Sequence, residues 1–143
     1  MNRQIVIFID SDVVISSLIS KKGAGYLLIN DDSCKKVVSN YSQKEIGVVI
    51  DRLKLSKKEF QRIKNKLDEI TITQKILLIK KQYSGYVNDT NDSHIIAGAF
   101  KSKSKFLITY NIRHYKIENI KRAFGIITLT PGLFLQYLRN RKK

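Results

Sequence analysis

The chain has 143 residues and a formal net charge of +15, from 27 Lys and Arg against 12 Asp and Glu. This length suits one domain with a buried core and excludes two ordinary domains, and the 43% share of hydrophobic residues excludes wholesale disorder. A charge this positive favours a polyanionic partner, with a lysine-rich surface that binds nothing as the alternative.

The first half of the chain predicts alternating strands and helices. Residues 5–9 form a continuous apolar run rich in branched side chains, which is typical of a strand buried on both faces. The segments that follow predict a helix at 13–19, a helix at 26–29 and a strand at 36–39. Two capping-box patterns then predict helix starts, with Ser42 before Glu45 and Ser56 before Glu59, and the apolar face of the second helix continues to residue 70.

The second half continues the alternation. Residues 73–79 fit either a strand or a loop. The segments after them predict a helix at 92–100, buried strands at 106–109 and 126–129, and a last helix from residue 131. Pro131 suits the first turn of that helix, and the basic tail 139–143 is expected to be frayed.

The single cysteine, Cys34, has no partner for an internal disulfide and no Cys or His neighbour at metal-ligand spacing. We therefore expect a reduced, cytoplasmic setting in which Cys34 is a small buried hydrophobe. The first apolar run is too short for a signal peptide, and no stretch approaches the roughly 20 apolar residues needed to span a bilayer. We expect a soluble protein with no membrane partner.

Alternation of strands and helices predicts an α/β fold, with a mostly parallel sheet and helices on both faces. Such sheets bind ligands at the carboxyl ends of their strands. Asp10 follows the first strand directly, Asn111 comes two residues after the 106–109 strand, and Thr130 follows the last strand. Asp92 starts the helix that leads to the 106–109 strand. We therefore expect Asp10, Glu45, Asp92 and Asn111 to converge at one end of the sheet.

Clustered carboxylates repel one another, and a hard divalent cation relieves that repulsion while using oxygen ligands. Mg²⁺ or Mn²⁺ fits this set, since the sequence has no Cys and His cluster for zinc. Each acid also has a structural interpretation. Asp10 can simply end a strand, Glu45 and Asp92 can favour the positive end of a helix, and Asp89 is a turn residue between Asn88 and Thr90.

The order of these blocks resembles the PIN-domain family. An apolar strand leads into Asp10 and a helix, a second strand precedes Glu45, and Asp89 and Asp92 precede a helix of small residues. The strand and loop at 106–115 resemble the block with the fourth polar position, here Asn111, and 127–135 resemble the closing strand and helix. The blocks follow the family's order and cover nearly the whole chain.

The resemblance implies one PIN-like domain over residues 1–143, folded as a Rossmann-like three-layer α/β/α sandwich. It implies a metal-dependent endoribonuclease in which Asp10, Glu45, Asp92 and Asn111 are both the catalytic residues and the ligands of Mg²⁺ or Mn²⁺. Compact prokaryotic members of the VapC type are toxins of toxin–antitoxin pairs. That similarity implies RNA as the substrate, a small antitoxin protein as a partner, and a homodimer.

One position departs from the family pattern. Asn111 stands where many members carry Asp, which keeps an oxygen ligand and loses a charge. A non-catalytic or weakly catalytic PIN-like nucleic-acid-binding module is therefore the second hypothesis. A phosphatase of the haloacid dehalogenase kind is a third, because Asp10 and Asp12 resemble its opening, although no acidic pair follows the 106–109 strand.

The neighbours of these acids have predicted roles as well. Ser11 and Thr109 are expected to hold carboxylates or water by hydrogen bonds. Arg113 and His114 lie in the loop beside Asn111 and are candidates for contact with the substrate. For His114, an ordinary surface position is the alternative to a general base.

Overall fold

The computed structural model describes residues 4–141, and within them five parallel strands form one sheet. The strands are β1 Ile5–Ile9, β2 Cys34–Ser39, β3 Asp68–Ile70, β4 Phe106–Ile108 and β5 Ile127–Leu129. Their order is β3-β2-β1-β4-β5. The chain moves outward from β1 to β3 and then crosses to the other side of β1 to form β4. The topological switch point, where such sheets bind ligands, therefore lies between β1 and β4.

Eight α-helices lie within residues 4–141. They are α1 Ser11–Ile19, α2 Ala24–Ile29, α3 Asn40–Leu53, α4 Lys57–Lys64, α5 Ile76–Tyr83, α6 Ser93–Lys101, α7 Ile117–Phe124 and α8 Pro131–Arg141. Short 3-10 turns occur at Ser84–Tyr86, Thr90–Asp92 and Ile112–His114. No helix in this part of the chain is both long and apolar enough to cross a membrane.

Two hydrophobic cores separate the helices into two layers. One core joins a face of the sheet, including Ile7 and Ile9, to buried side chains of α1, α2, α3, α4 and α8. The other core joins the opposite face, including Phe8 and Leu107, to α5, α6 and α7. Strand residues alternate between the two cores, because successive side chains of a strand point to opposite faces. The predicted three-layer α/β/α sandwich is confirmed, and Cys34 is buried in the first core as expected.

Several predicted boundaries are wrong. Helix α3 starts at Asn40, and its N-cap is Ser39, whose hydroxyl accepts a hydrogen bond from the backbone N–H of Ser42. Ser42 is therefore inside the helix, and Glu45 lies in the second turn and forms no capping box with it. Ser56 does cap α4, accepting from the backbone N–H of Glu59.

The prediction that the helix after Ser56 continues to residue 70 is wrong, although the apolar residues up to that point keep a helical spacing. Helix α4 ends at Lys64, and residues 68–70 form the edge strand β3. The undecided residues 73–79 contain a loop and then the start of α5, and α7 was not predicted. The expected frayed tail is helical as far as Arg141, and Lys142 and Lys143 lie outside the described residues.

Close packing of α6 on β1 depends on Gly98. A Cβ placed on Gly98 would come within 2.5 Å of Phe8 Cε2, and the Phe8 ring is fully buried. Gly98→Ala is expected to lower the free energy of unfolding by about 1–3 kcal/mol, because the ring must leave its packed position. Urea denaturation measures the effect.

Gly47 in α3 is the matched control, since a Cβ there meets no atom within 4 Å. Gly47→Ala is expected to be neutral or stabilising by up to about 1 kcal/mol, because Ala has the higher helix propensity. Equal effects of the two substitutions would contradict the close contact between α6 and β1.

Candidate metal centre

Asp10 lies at the switch point, where β1 ends and α1 begins. Its backbone N–H still pairs with Ile108 of β4, and its backbone is extended, so the rigid sheet sets the position of the side chain. The carboxylate is only 8% exposed and makes no helix-capping hydrogen bond. Its Oδ2 accepts hydrogen bonds from Thr109 Oγ1 at 2.9 Å and from the Tyr115 hydroxyl at 2.6 Å. Both hydroxyls hold the same oxygen, and neither engages Oδ1.

Glu45 reaches the same region from α3. Its Oε1 accepts a hydrogen bond from Ser11 Oγ at 3.1 Å and lies 3.0 Å from His94 Nε2. His94 is on α6 and is almost fully buried, whereas the Glu45 side chain is 48% exposed. One oxygen of Glu45 is thus held by two other helices, and its position does not depend on helix capping.

Asp92 ends a short 3-10 turn before α6 and makes no capping hydrogen bond either. Its Oδ2 lies 3.4 Å from Nδ1 of His114, which is half-exposed and comes from the loop after β4. His114 is therefore tied to a carboxylate of the site. Asp89, in contrast, accepts from the backbone N–H of Asn91, so it is a turn residue.

Asp12, in the first turn of α1, connects α1 to the loop after β4. Its Oδ2 accepts hydrogen bonds from the Tyr110 backbone N–H at 3.0 Å and from Thr109 Oγ1 at 3.3 Å. Its Oδ1 is buried and has no hydrogen-bond partner among the described residues. An unpaired buried carboxylate oxygen is costly, and a proton or a cation would satisfy it.

Asp10, Asp12 and Asp92 have raised pKa values, and the charge of a neighbouring carboxylate contributes to each rise. Burial is the main cause of a raised pKa at Asp10, and the charge of Glu45 adds to it. Burial followed by the charge of Asp10 raises the pKa of Asp92 and raises that of Asp12 to about 7. This concentration of negative charge is unusual in a chain of net charge +15.

The carboxylate oxygens of this site are the type of ligand that a hard divalent cation prefers, but their positions do not form a ready metal-binding group. Carboxylate oxygens that are crowded, partly desolvated and held by hydroxyl groups are suitable ligands for Mg²⁺ or Mn²⁺. However, no group of three or more His, Cys, Asp and Glu side chains within residues 4–141 is placed so as to hold a metal ion. The identity of the ion and the residues that bind it therefore stay predictions.

All four predicted site residues lie at the same end of the sheet. Asp10, Glu45 and Asp92 are close to one another, and Asn111 is at the exposed edge of this group. Asp10, Glu45 and Asp92 interact electrostatically. Asn111 follows β4 and precedes a 3-10 turn, its backbone N–H donates to Thr109 Oγ1, and the residue is exposed. Its backbone also lies beside Asp12, and a hydrogen bond from this backbone partly offsets the rise in the pKa of the Asp12 carboxyl.

Two residues that contact the carboxylates, Tyr115 and His94, are not indicated by the sequence. Its patterns place Tyr115 only in the block at 106–115 and His94 only within a helix. Each reaches its carboxylate from a separate element, so no spacing in the sequence pointed to either contact. Thr109 and Ser11, which were expected to hold carboxylates or water, donate hydrogen bonds to Asp10 and to Glu45 respectively.

An all-parallel α/β/α sandwich with an acidic cluster at its switch point defines the class of protein. Residues 6–113 match the PIN domain, and because this match spans most of the chain, the chain belongs to the PIN-domain family. Family membership also removes the phosphatase hypothesis. No curated protein matches the chain in sequence.

Two solved structures have a similar fold at low sequence identity. VapBC2 from Rickettsia felis, bound to a DNA fragment from its promoter, has a TM-score of 0.58 and 16% identity, covering 88% of this chain and 98% of that chain. A PilT N-terminus domain protein from Sulfolobus solfataricus P2 has a TM-score of 0.53 and 12% identity, covering 93% and 92%. At these identities the likeness concerns the fold alone.

The hydroxyl of Tyr115 allows a direct test of the site. Tyr115→Phe is expected to weaken Mn²⁺ binding by about 10–100-fold, because hydrogen-bond partners of metal-binding carboxylates orient them. The measurement is the Mn²⁺-dependent rise in Tm of protein freed of metal with EDTA. Tyr83→Phe is the control, since Tyr83 is also buried but packs against Phe100 and Phe124. An unchanged response of Tyr115→Phe to Mn²⁺ would contradict the expected role.

Proposed function

We propose that this protein is a metal-dependent endoribonuclease that hydrolyses RNA phosphodiester bonds. The observation that carries the proposal is the interacting set Asp10, Glu45 and Asp92 beside the β1–β4 switch point. Each of the three has one oxygen held or approached by a donor from another element. A protein that only binds phosphates gains nothing from carboxylates, which repel them. A divalent cation bound by the carboxylates would offset their repulsion of the phosphate.

In the proposed mechanism, Asp10, Glu45 and Asp92 would hold Mg²⁺ or Mn²⁺, and Asn111 would contribute a neutral oxygen. The bound ion would lower the pKa of a water nucleophile and offset the negative charge of the phosphate. Thr109 and Tyr115 orient Asp10 through Oδ2. Ser11 and His94 orient Glu45 through Oε1.

Substrate attraction is proposed to come from the excess of Lys and Arg. A net charge of +15 favours the RNA backbone without reading its sequence. Arg113 and His114 are exposed in the loop beside Asn111 and are candidates for phosphate contacts. His114 Nδ1 also lies 3.4 Å from Asp92 Oδ2, so a phosphate bound by His114 would lie close to this carboxylate.

We further propose that the protein is a cytoplasmic toxin of a toxin–antitoxin pair, acting as a homodimer and inhibited by a small antitoxin protein. Support comes from the family and from the fold shared with VapBC2 of Rickettsia felis. Expression of the chain alone is expected to arrest bacterial growth, and co-expression of a small protein encoded directly upstream is expected to relieve the arrest.

A non-catalytic or weakly catalytic nucleic-acid-binding module is the second candidate. Two observations favour it: Asn111 lacks the charge of Asp, and the acids within residues 4–141 do not form a ready metal-binding group. RNA cleavage with Mg²⁺, with Mn²⁺ and in EDTA separates the two candidates. Cleavage that needs the ion supports the nuclease, binding without cleavage supports the module, and cleavage unchanged in EDTA contradicts the metal-dependent mechanism.

A further inference from the structure

A cavity of about 370 Å³ lies next to the acidic cluster, between α3, α5 and the start of α6. Glu45 and His94 form the side nearest the cluster, and the rest of the wall is formed by Tyr41, Lys44, Ile76, Lys80 and Asn91. The volume is in the range of pockets that hold small organic ligands. Glu45 thus belongs to the wall of this cavity and to the candidate metal centre.

The two lysines of this cavity have no ion-pair partner among the described residues. They come from different helices, Lys44 from α3 and Lys80 from α5, and Lys80 is half-buried. Glu45 shares the wall with them, but its Oε1 is engaged by Ser11 and His94. Two cations that face one cavity without a carboxylate partner favour an anionic ligand.

The aromatic part of the wall is held in place. The Tyr41 hydroxyl donates a hydrogen bond to the Gln74 backbone oxygen at 2.5 Å, and the Tyr41 ring lies 5.9 Å from the His94 ring, between centroids. A ring fixed in this way loses little conformational freedom when a flat group stacks on it. Asn91, exposed at the rim, adds an amide that can donate and accept hydrogen bonds.

We propose that this cavity is a nucleotide subsite, which receives the base and phosphate of a nucleotide adjacent to the cleaved bond in single-stranded RNA. Lys44 and Lys80 contact the phosphate, and Tyr41 stacks on the base. Stacking requires an unpaired base, which is why the ligand is single-stranded. The inference rests on the proposed ribonuclease function, because it takes the cleaved bond to lie beside Glu45.

The test measures binding of a short fluorescein-labelled single-stranded RNA in EDTA, where the proposed reaction does not proceed. The double variant Lys44→Gln with Lys80→Gln is expected to bind at least about tenfold more weakly. Because Lys44 and Lys80 contact one phosphate, the double variant is also expected to make the slope of log affinity against log salt less steep by about 0.7. Lys58→Gln with Lys121→Gln removes the same charge from exposed positions on α4 and α7 and is expected to change both quantities less.

Substitution of Tyr41 tests the stacking contact. Tyr41→Phe keeps the ring and is expected to retain RNA binding, whereas Tyr41→Leu is expected to weaken it at least about fivefold. Circular dichroism shows whether each variant is folded, and Mn²⁺ binding shows whether the metal centre is intact. Equal RNA binding by the folded Tyr41→Phe and Tyr41→Leu variants would remove stacking from the proposal.

Binding and cleavage separate failure of the subsite from failure of the proposed function. If the wild type does not cleave RNA but the double variant of Lys44 and Lys80 still lowers affinity more than the control variant, the cavity binds a nucleotide of single-stranded RNA and the nuclease proposal fails. If the wild type cleaves RNA and the two double variants bind RNA equally well, the subsite proposal is overturned. In an active protein, the double variant Lys44→Gln with Lys80→Gln is expected to raise KM more than it lowers kcat.

Discussion

Asp10→Asn is expected to reduce RNA cleavage by about a hundredfold to a thousandfold while the protein stays folded. The size of the loss is that of removing one well-placed group that stabilises charge in a transition state. Asp10 is the acid with the most rigid position, since its backbone pairs with β4 and two hydroxyls hold one of its oxygens. Asn keeps an oxygen that these hydroxyls can reach but loses the charge that binds a cation.

The stability of Asp10→Asn is expected to equal or exceed that of the wild type in the absence of metal. Burial and the charge of Glu45 raise the pKa of Asp10, so its ionised form is unfavourable in the folded protein near neutral pH. Replacing the carboxylate with a neutral amide removes that cost. Loss of activity together with unchanged or higher Tm therefore identifies a functional residue.

Asn111→Ala provides the comparison. If Asn111 supplies a neutral oxygen to the ion, its loss is expected to lower cleavage by less than Asp10→Asn does. The assay uses one RNA with Mg²⁺ or Mn²⁺, with EDTA as the control. Cleavage at the wild-type rate by Asp10→Asn would rule out the proposed mechanism, and a larger loss for Asn111→Ala would reverse the assigned order of importance.

Most of the fold followed from hydrophobic patterning. Strands β1 and β4 have continuous apolar runs, and β5 has apolar residues on both sides of Thr128. Alternation of strands and helices is then enough to predict a parallel sheet. Of the elements that were not predicted, α7 does have apolar residues at helical spacing, Ile117, Ile120 and Phe124, whereas β3 lacks a continuous apolar run. Strand β3 is a three-residue edge strand, Asp68–Ile70, with two exposed residues. Its place in the sheet depends on pairing with β2, which is a contact far away in the sequence.

Capping was predicted less well because several residues compete for the same turn. Ser39 and Ser42 lie three residues apart, and both suit an N-cap. The structure selects Ser39, since β2 ends there and the chain turns directly into α3. This shift by one turn places Glu45 beyond the first turn, which removes the capping interpretation and leaves its contacts with Ser11 and His94.

The sequence points to the acids of the candidate site but not to Tyr115, which donates a hydrogen bond to one of them. Asp10 follows β1, Glu45 lies in the second turn of the helix after β2, and Asp92 precedes α6, so topology brings the three acids toward one end of the sheet. Tyr115 reaches Asp10 across 105 positions of the chain, and its segment is held by a bridge to Val87. Contacts of this kind depend on side-chain direction in the assembled fold, which no local pattern encodes.

The last expected result concerns pH and stability in EDTA. Burial and the charge of Asp10 raise the pKa of Asp12 to about 7, from 3.8 for an ordinary Asp. Between these values the folded protein keeps a proton that the unfolded chain has released. The contribution of Asp12 to the free energy of unfolding is therefore fully present below about pH 4 and is lost as the pH rises through about 7. Asp10 and Asp92 act in the same direction, because their pKa values are also raised.

Asp12→Asn is expected to flatten this pH dependence and to raise the free energy of unfolding above pH 7, by an amount on the order of 2–4 kcal/mol. The gain arises because the amide needs no proton and carries no charge beside Asp10. Urea denaturation from pH 4.5 to 8 measures it. Asp51→Asn is the control, because Asp51 is exposed and forms a surface ion pair with Lys57, with 3.5 Å between Lys57 Nζ and Asp51 Oδ1. If Asp12→Asn and the wild type lose stability equally as the pH rises, Asp12 does not hold the proton, and another acid of the cluster must.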